Sequence, residues 1–157
     1  MIEKKEYMSR RQELMSMMHK NSIAVISSAP EKVRSRDTNY PYKQNVNLTY
    51  LAGFPEPDSV LVLIPDREDG QVILFCRDKD PLRETWDGYR EGPASAIKKY
   101  GLDDAFPISD IDDILPNLIE GKDRLYYAVG KDADFDKRIM DWVCLLYTSD
   151  AADDLWC

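Results

Sequence analysis

Two apolar runs constrain this chain most: residues 59–64 (SVLVLI) and residues 71–76 (QVILFC), joined by PDREDG. Runs of this length, rich in β-branched residues, are strands, and Pro65, Asp66, Asp69 and Gly70 are turn formers. The pair is expected to be an antiparallel hairpin. Neither strand alternates polar with apolar residues. Both of its faces must therefore be covered, which places the hairpin at the centre of a sheet with layers on each side. The tip is similar to a calcium loop, but its glycine comes one position early and the terminal glutamate is missing, so it is expected to be a solvated turn.

The rest of the chain supplies the covering layers. Residues 3–19 have Tyr7, Leu14, Met15 and Met18 on one side at helical spacing, with Lys4, Arg10, Gln12 and Glu13 towards water. Residues 22–28 (SIAVISS) are too short for a helix and predict a buried strand. Residues 31–45 predict a long polar connection, in which Pro41 pushes Tyr40 towards extended backbone. Residues 47–53 (NLTYLAG) alternate well enough to predict another strand, and residues 77–92 a charged loop. Residues 92–100 predict a helix with Pro93 in its first turn and Gly101 stopping it. A short strand is expected at residues 106–108. A helix to Ile119, capped by Ser109 or Asp110 and interrupted by Pro116, comes next. Residues 124–129 predict a strand and residues 132–143 a helix with an acidic first turn. The fold class is α/β: a mixed sheet with a central antiparallel hairpin and helices on both faces.

Charge and chemistry exclude several functions. The chain has 157 residues, room for one domain with a real core. Lys and Arg number 21 against 29 Asp and Glu, a net charge of −8. Nucleic-acid binding needs a cationic surface and is not expected. No apolar stretch approaches the ~20 residues of a membrane helix. The start lacks an apolar signal core, so the cytoplasm is the expected compartment. Cys76, Cys144 and Cys157 are odd in number and widely spaced, which suggests neither a disulfide framework nor a zinc site. The one histidine, His19, leaves no material for a Ser-His or Cys-His nucleophile, and it reads as an exposed helix residue. The aspartate pairs near residues 103, 112 and 132 sit in loops and helix starts, where acids are expected without a metal.

Two clusters could bind a partner. The first is Arg34, Arg36, Asp37, Asn39, Tyr40, Tyr42, Gln44 and Asn45, either a binding rim or a loop fastened by its own tyrosines and charges. The second is Arg83, Glu84, Trp86, Asp87, Tyr89, Arg90 and Glu91. Trp, Tyr and Arg are common interface anchors, and the alternative is a tryptophan folded onto the core.

The stretch RSRDTNYPYKQNVNLTYLAGFPEPDSVLVLI, residues 34–64, resembles the N-terminal domain of aminopeptidase P, in the creatinase and prolidase group. The shared positions are Tyr40-Pro41-Tyr42-Lys43-Gln44-Asn45, Tyr50, Gly53-Phe54, Glu56-Pro57 and the strand that follows. Lys43 stands where arginine is usual, and Ala52 where threonine is. The likeness continues through Phe75-Cys76-Arg77 and Glu84-Thr85-Trp86-Asp87-Gly88-Tyr89-Arg90, similar to the family's E-x-W-x-G-x-R, and covers about residues 5–143. It implies a parent that is a Xaa-Pro aminopeptidase, releasing the first residue of a peptide with proline in second position. It also implies two divalent ions, usually manganese, held by Asp, Asp, His, Glu and Glu in a C-terminal pita-bread domain outside this chain. These residues are expected to bind no metal and to have no peptidase activity alone.

For this domain the likeness implies homo-oligomer contacts and control of access to the active site. Trp86 would stand near a neighbouring subunit, braced by Arg90 and by Tyr40, Tyr42, Gln44 and Asn45. Residues 1–143 are expected to form the domain. Residues 144–157 (CLLYTSDAADDLWC) resemble translated adapter read-through, a non-native tail, with a genuine C-terminal tail as the alternative; residues 145–157 are then expected to be poorly packed or helically nondescript. Two other identities fit the same residues: the similar domain of a prolidase, and a creatinase-like scaffold module without metal ligands.

Overall fold

The computed structural model describes residues 2–35, 38–39 and 41–150, with side chains for all of these but 33–35, 38–39 and 147–150. Along it run α1 (Lys4–Met17), β1 (Ser22–Ser27), β2 (Val33–Ser35), β3 (Thr38–Asn39), α2 (Val46–Ala52), β4 (Val60–Leu63) and β5 (Val72–Cys76). There follow α3 (Pro81–Asp87), α4 (Pro93–Tyr100), β6 (Asp104–Pro107), α5 (Ile111–Ile119), β7 (Arg124–Tyr127) and α6 (Ala133–Asp150).

The expected hairpin is β4–β5, with Leu61 opposite Leu74. It sits inside a five-stranded sheet of order β6-β5-β4-β1-β7. β1 runs antiparallel to β4 and parallel to β7, and β6 runs parallel to β5. The sheet is therefore mixed. Its strands send alternate residues to two cores, as the period of two requires. Leu61, Leu63, Leu74 and Cys76 face one core, closed by Met15 of α1, Leu48 and Leu51 of α2 and Ala96 of α4. Val60, Val62, Ile73 and Phe75 face the other, closed by Ile111 and Leu115 of α5 and Phe135, Ile139 and Trp142 of α6. Cys76 is a free buried thiol, and burial together with the nearby Glu56 pushes its pKa up to about 12, so it behaves as a small apolar residue.

Residues 47–53 are not a strand. They form α2, because both ends are capped by their own sequence. The Asn45 carboxamide accepts from the Asn47 and Leu48 N–H groups, and Gly53 closes the helix in the left-handed conformation (φ 68°). The buried residues Leu48, Leu51 and Ala52 follow helical spacing. The expected long connection contains the small hairpin β2–β3, and the expected charged loop contains α3. No side-chain bond from Asp110 caps α5; a 3-10 turn (Ile108–Asp110) leads straight into it. α6 passes through the expected start of the tail to Asp150, and Leu146 still packs on the second core. Residues 151–157, with Trp156 and Cys157, lie outside the described residues.

Gly53 also lies against α1. A Cβ there would stand 2.6 Å from Cζ of Tyr7, whereas one at Gly121 would meet nothing within 4 Å. Both glycines have positive φ. Gly121→Ala should therefore cost only the backbone penalty, about 1 kcal/mol. Gly53→Ala should cost about 2–3 kcal/mol, because Tyr7 must also move. Urea unfolding of the two variants checks the difference, and equal midpoints would remove the packing role of Tyr7.

The largest buried side chain with a charge is Arg11, on the apolar stripe of α1. Its guanidinium donates to the carbonyls of Leu51 (2.8 Å), Tyr100 (3.0 Å) and Gly101 (2.9 Å). These carbonyls end α2 and α4, where the helix dipoles are negative. One cation thus ties three helices over the first core.

Candidate interaction site

Between the end of β5 and the start of α4 the chain makes an excursion, residues 77–92. Its middle is α3. Asp80 accepts from the Arg83 N–H at 3.2 Å, Pro81 takes the first helical position, and Gly88 ends the helix at φ 95°. α3 buries no residue at all. Its apolar side chains face outward instead: Leu82 is 80% exposed, Trp86 85% and Tyr89 62%. Trp86 is therefore not folded onto the core.

Polar contacts, not apolar packing, hold this platform. Glu84 Oε1 accepts from Lys79 Nζ at 2.8 Å and from the Arg90 N–H at 2.9 Å, closing the excursion on itself. Those two bonds, the Arg90 amide first, hold the Glu84 carboxyl below its ordinary pKa. Lys79 Nζ also donates to the Arg90 carbonyl and lies 4.1 Å over the Tyr89 ring. One level deeper, the buried carboxylate of Glu56 ties both ends of the excursion: Oε1 pairs with Arg77 at 3.2 Å and Oε2 accepts the Glu91 N–H at 2.9 Å. Glu91 is itself buried. Burial would raise its pKa, but the Ser95 hydroxyl and Lys99 at 3.3 Å outweigh that and hold it low.

The first cluster reaches the same place through Glu56. Gln44 Nε2 donates to the Phe54 and Glu56 carbonyls at 3.0 and 2.9 Å, while its Oε1 accepts the Ala29 and Asn45 N–H groups. The Tyr42 hydroxyl lies 2.8 Å from both the Ala29 carbonyl and Gln44 Oε1, and burial pushes its pKa up to about 12. Asn45 caps α2. The polar groups of Tyr42, Gln44 and Asn45 are thus spent on fastening the chain beneath Glu56. Tyr40, Arg36 and Asp37 lie outside the described residues, as do the side chains of Arg34 and Asn39. The Arg90 guanidinium pairs loosely with Asp87 at 3.8 Å, and its buried Nε meets no partner among the described residues.

No local pattern connects Glu56, Arg77 and Lys79 to the Trp86 cluster, although Glu56 and Arg77 stand among the positions shared with the aminopeptidase P domain. Leu82 and Trp86 are four residues apart, a helical stripe that the surrounding charges mask. Among the described residues no group of three or more His, Cys, Asp or Glu side chains could hold a metal ion, and His19 is exposed. These residues do not fit a manganese pair. Nor is any described helix long and apolar enough to cross a membrane.

Comparison with known proteins places the chain in a family. Residues 7–126 match the family description "Aminopeptidase P, N-terminal domain". The Xaa-Pro aminopeptidase of Escherichia coli is 42% identical over 131 residues, covering 83% of this chain and 30% of that protein. The structure of Pseudomonas aeruginosa aminopeptidase PepP superposes with a TM-score of 0.91 at 54% identity, over 95% of this chain and 34% of that one. Zinc-substituted E. coli aminopeptidase P in complex with product is similar with a TM-score of 0.89 at 38% identity, over 95% and 34% of the two chains. The chain thus spans about a third of the length of these relatives.

Proposed function

Because this chain belongs to the aminopeptidase P N-terminal domain family, we propose that the protein it serves is a Xaa-Pro aminopeptidase, a metallopeptidase releasing the first residue of peptides whose second is proline. The chemistry resides in sequence beyond these residues, where two divalent ions, manganese by resemblance, would activate the attacking water. The share of this domain is to present the Trp86 surface to a second copy of the chain and so to shape access to that copy's active site, in a cytoplasmic homo-oligomer. The observation that carries this reading is a tryptophan 85% exposed on a helix with no buried face, yet held in place by two carboxylates. Isolated apolar residues on a surface need no explanation, but Leu82 and Trp86 stand exposed beside Tyr89, whose ring also lies under Lys79, and together they form a patch.

The 157 residues alone, supplied with manganese and a tripeptide of Xaa-Pro-Xaa type, should show no hydrolysis, while the full-length enzyme turns it over. Chelator-sensitive turnover by the short chain would refute the division of labour. Absence of Xaa-Pro cleavage by the long one would refute the activity.

A further inference from the structure

The excursion that carries Trp86 is clamped twice, and the two clamps are nested. The outer clamp is Glu56, whose two oxygens take Arg77 at 3.2 Å and the Glu91 N–H at 2.9 Å, one at each end of the excursion. The inner is Glu84, whose Oε1 takes Lys79 Nζ at 2.8 Å and the Arg90 N–H at 2.9 Å, just inside those ends. Between the clamps and the tip there is no apolar anchor, since α3 buries nothing. A short helix without a buried face is marginal in water, so polar contacts fix its direction, and these four bonds lead among them. Bonds to a charged acceptor are the stronger kind, and here each carboxylate collects two donors.

We infer that Glu84 and Glu56 are positioning residues that hold the Trp86 platform in its docking pose, without a share in the core of the domain. This rests on the reading of the Trp86 surface as a subunit contact, and it adds a consequence: docking strength depends on two carboxylates that are themselves only 10% and 15% exposed.

Hydrogen exchange on the full chain, read by peptide, tests it. Glu84→Ala should speed exchange across residues 79–90 by about ten- to a hundredfold, with β4 and β5 unchanged. Glu84→Gln keeps an acceptor oxygen and should stay within about threefold of the parent chain. Glu56→Gln should loosen the peptide ending at Glu91 through loss of the Arg77 pair. Unchanged exchange over 79–90 in Glu84→Ala overturns the proposal. Should Glu84→Ala loosen the whole sheet, Lys79→Met decides, because it removes one inner donor from the exposed side. It should speed the same peptide about threefold or more, and no change overturns the proposal. Self-association of the full-length enzyme is measured in parallel. Faster exchange in Glu84→Ala with weakened association supports both readings. Faster exchange with association unaltered leaves the clamps standing and removes the subunit contact.

Discussion

Arg11→Met is expected to lower the stability of the domain by about 3–5 kcal/mol, the size seen when a buried charge network loses one side. Methionine fills much the same space, so the effect is not a cavity. What is lost is three charge-assisted donors, leaving the carbonyls of Leu51, Tyr100 and Gly101 at two helix ends without them. Burial lowers the guanidinium pKa, and the charge of Asp103 opposes that shift. Arg11→Lys should recover only part of the loss, since one ammonium cannot span three carbonyls that a planar fork reaches together. Urea unfolding checks this: a midpoint about 2 M lower for Arg11→Met, with Arg11→Lys between it and the parent. A shift under about 0.5 M would mean that water replaces the guanidinium without cost.

Trp86→Ala should do the opposite, leaving the fold alone and weakening assembly. Truncating a central aromatic anchor costs 2 kcal/mol or more of association, about thirtyfold in the dissociation constant. At 85% exposure the indole contributes little to folding, so the thermal midpoint should move by no more than about 2 °C. Sedimentation of the full-length protein across a dilution series reads the first quantity and calorimetry the second. An unchanged dissociation constant would show that the platform does not meet a second copy. A large fall in the midpoint would show that Trp86 packs after all.

Much of this fold is legible in the residues. The β4–β5 pair announces itself through apolar runs and turn formers, and α4 through Pro93 and Gly101 at its ends. α2 was hidden by a pattern that fits two periods. Residues 47–53 alternate well enough for a strand, while Leu48, Leu51 and Ala52 also fit a helix. The deciding signals were the caps, Asn45 before and Gly53 after, and these outweigh periodicity in so short a segment. α3 escaped because its stripe of Leu82 and Trp86 is small, faces water and lies among charges. Its start signal is Asp80-Pro81, a cap followed by proline in the first helical position. Arg11 lies four residues from both Tyr7 and Met15, on the apolar side of α1, so its burial could have been read from spacing. Its three carbonyl partners come from distant turns and could not. The same holds for Glu56: no local pattern tells that a carboxylate between two prolines reaches Arg77 and Glu91.

α3 buries none of its own residues, and this separates two kinds of constraint on the sequence. The outward residues that would choose a neighbour are exempt from the demands of folding, while the anchors, Glu84 within the helix and Glu56 outside it, stay fixed. A lineage, or an engineer, can therefore rewrite the tip residue by residue and redirect the molecule to a different companion without jeopardising its ability to fold.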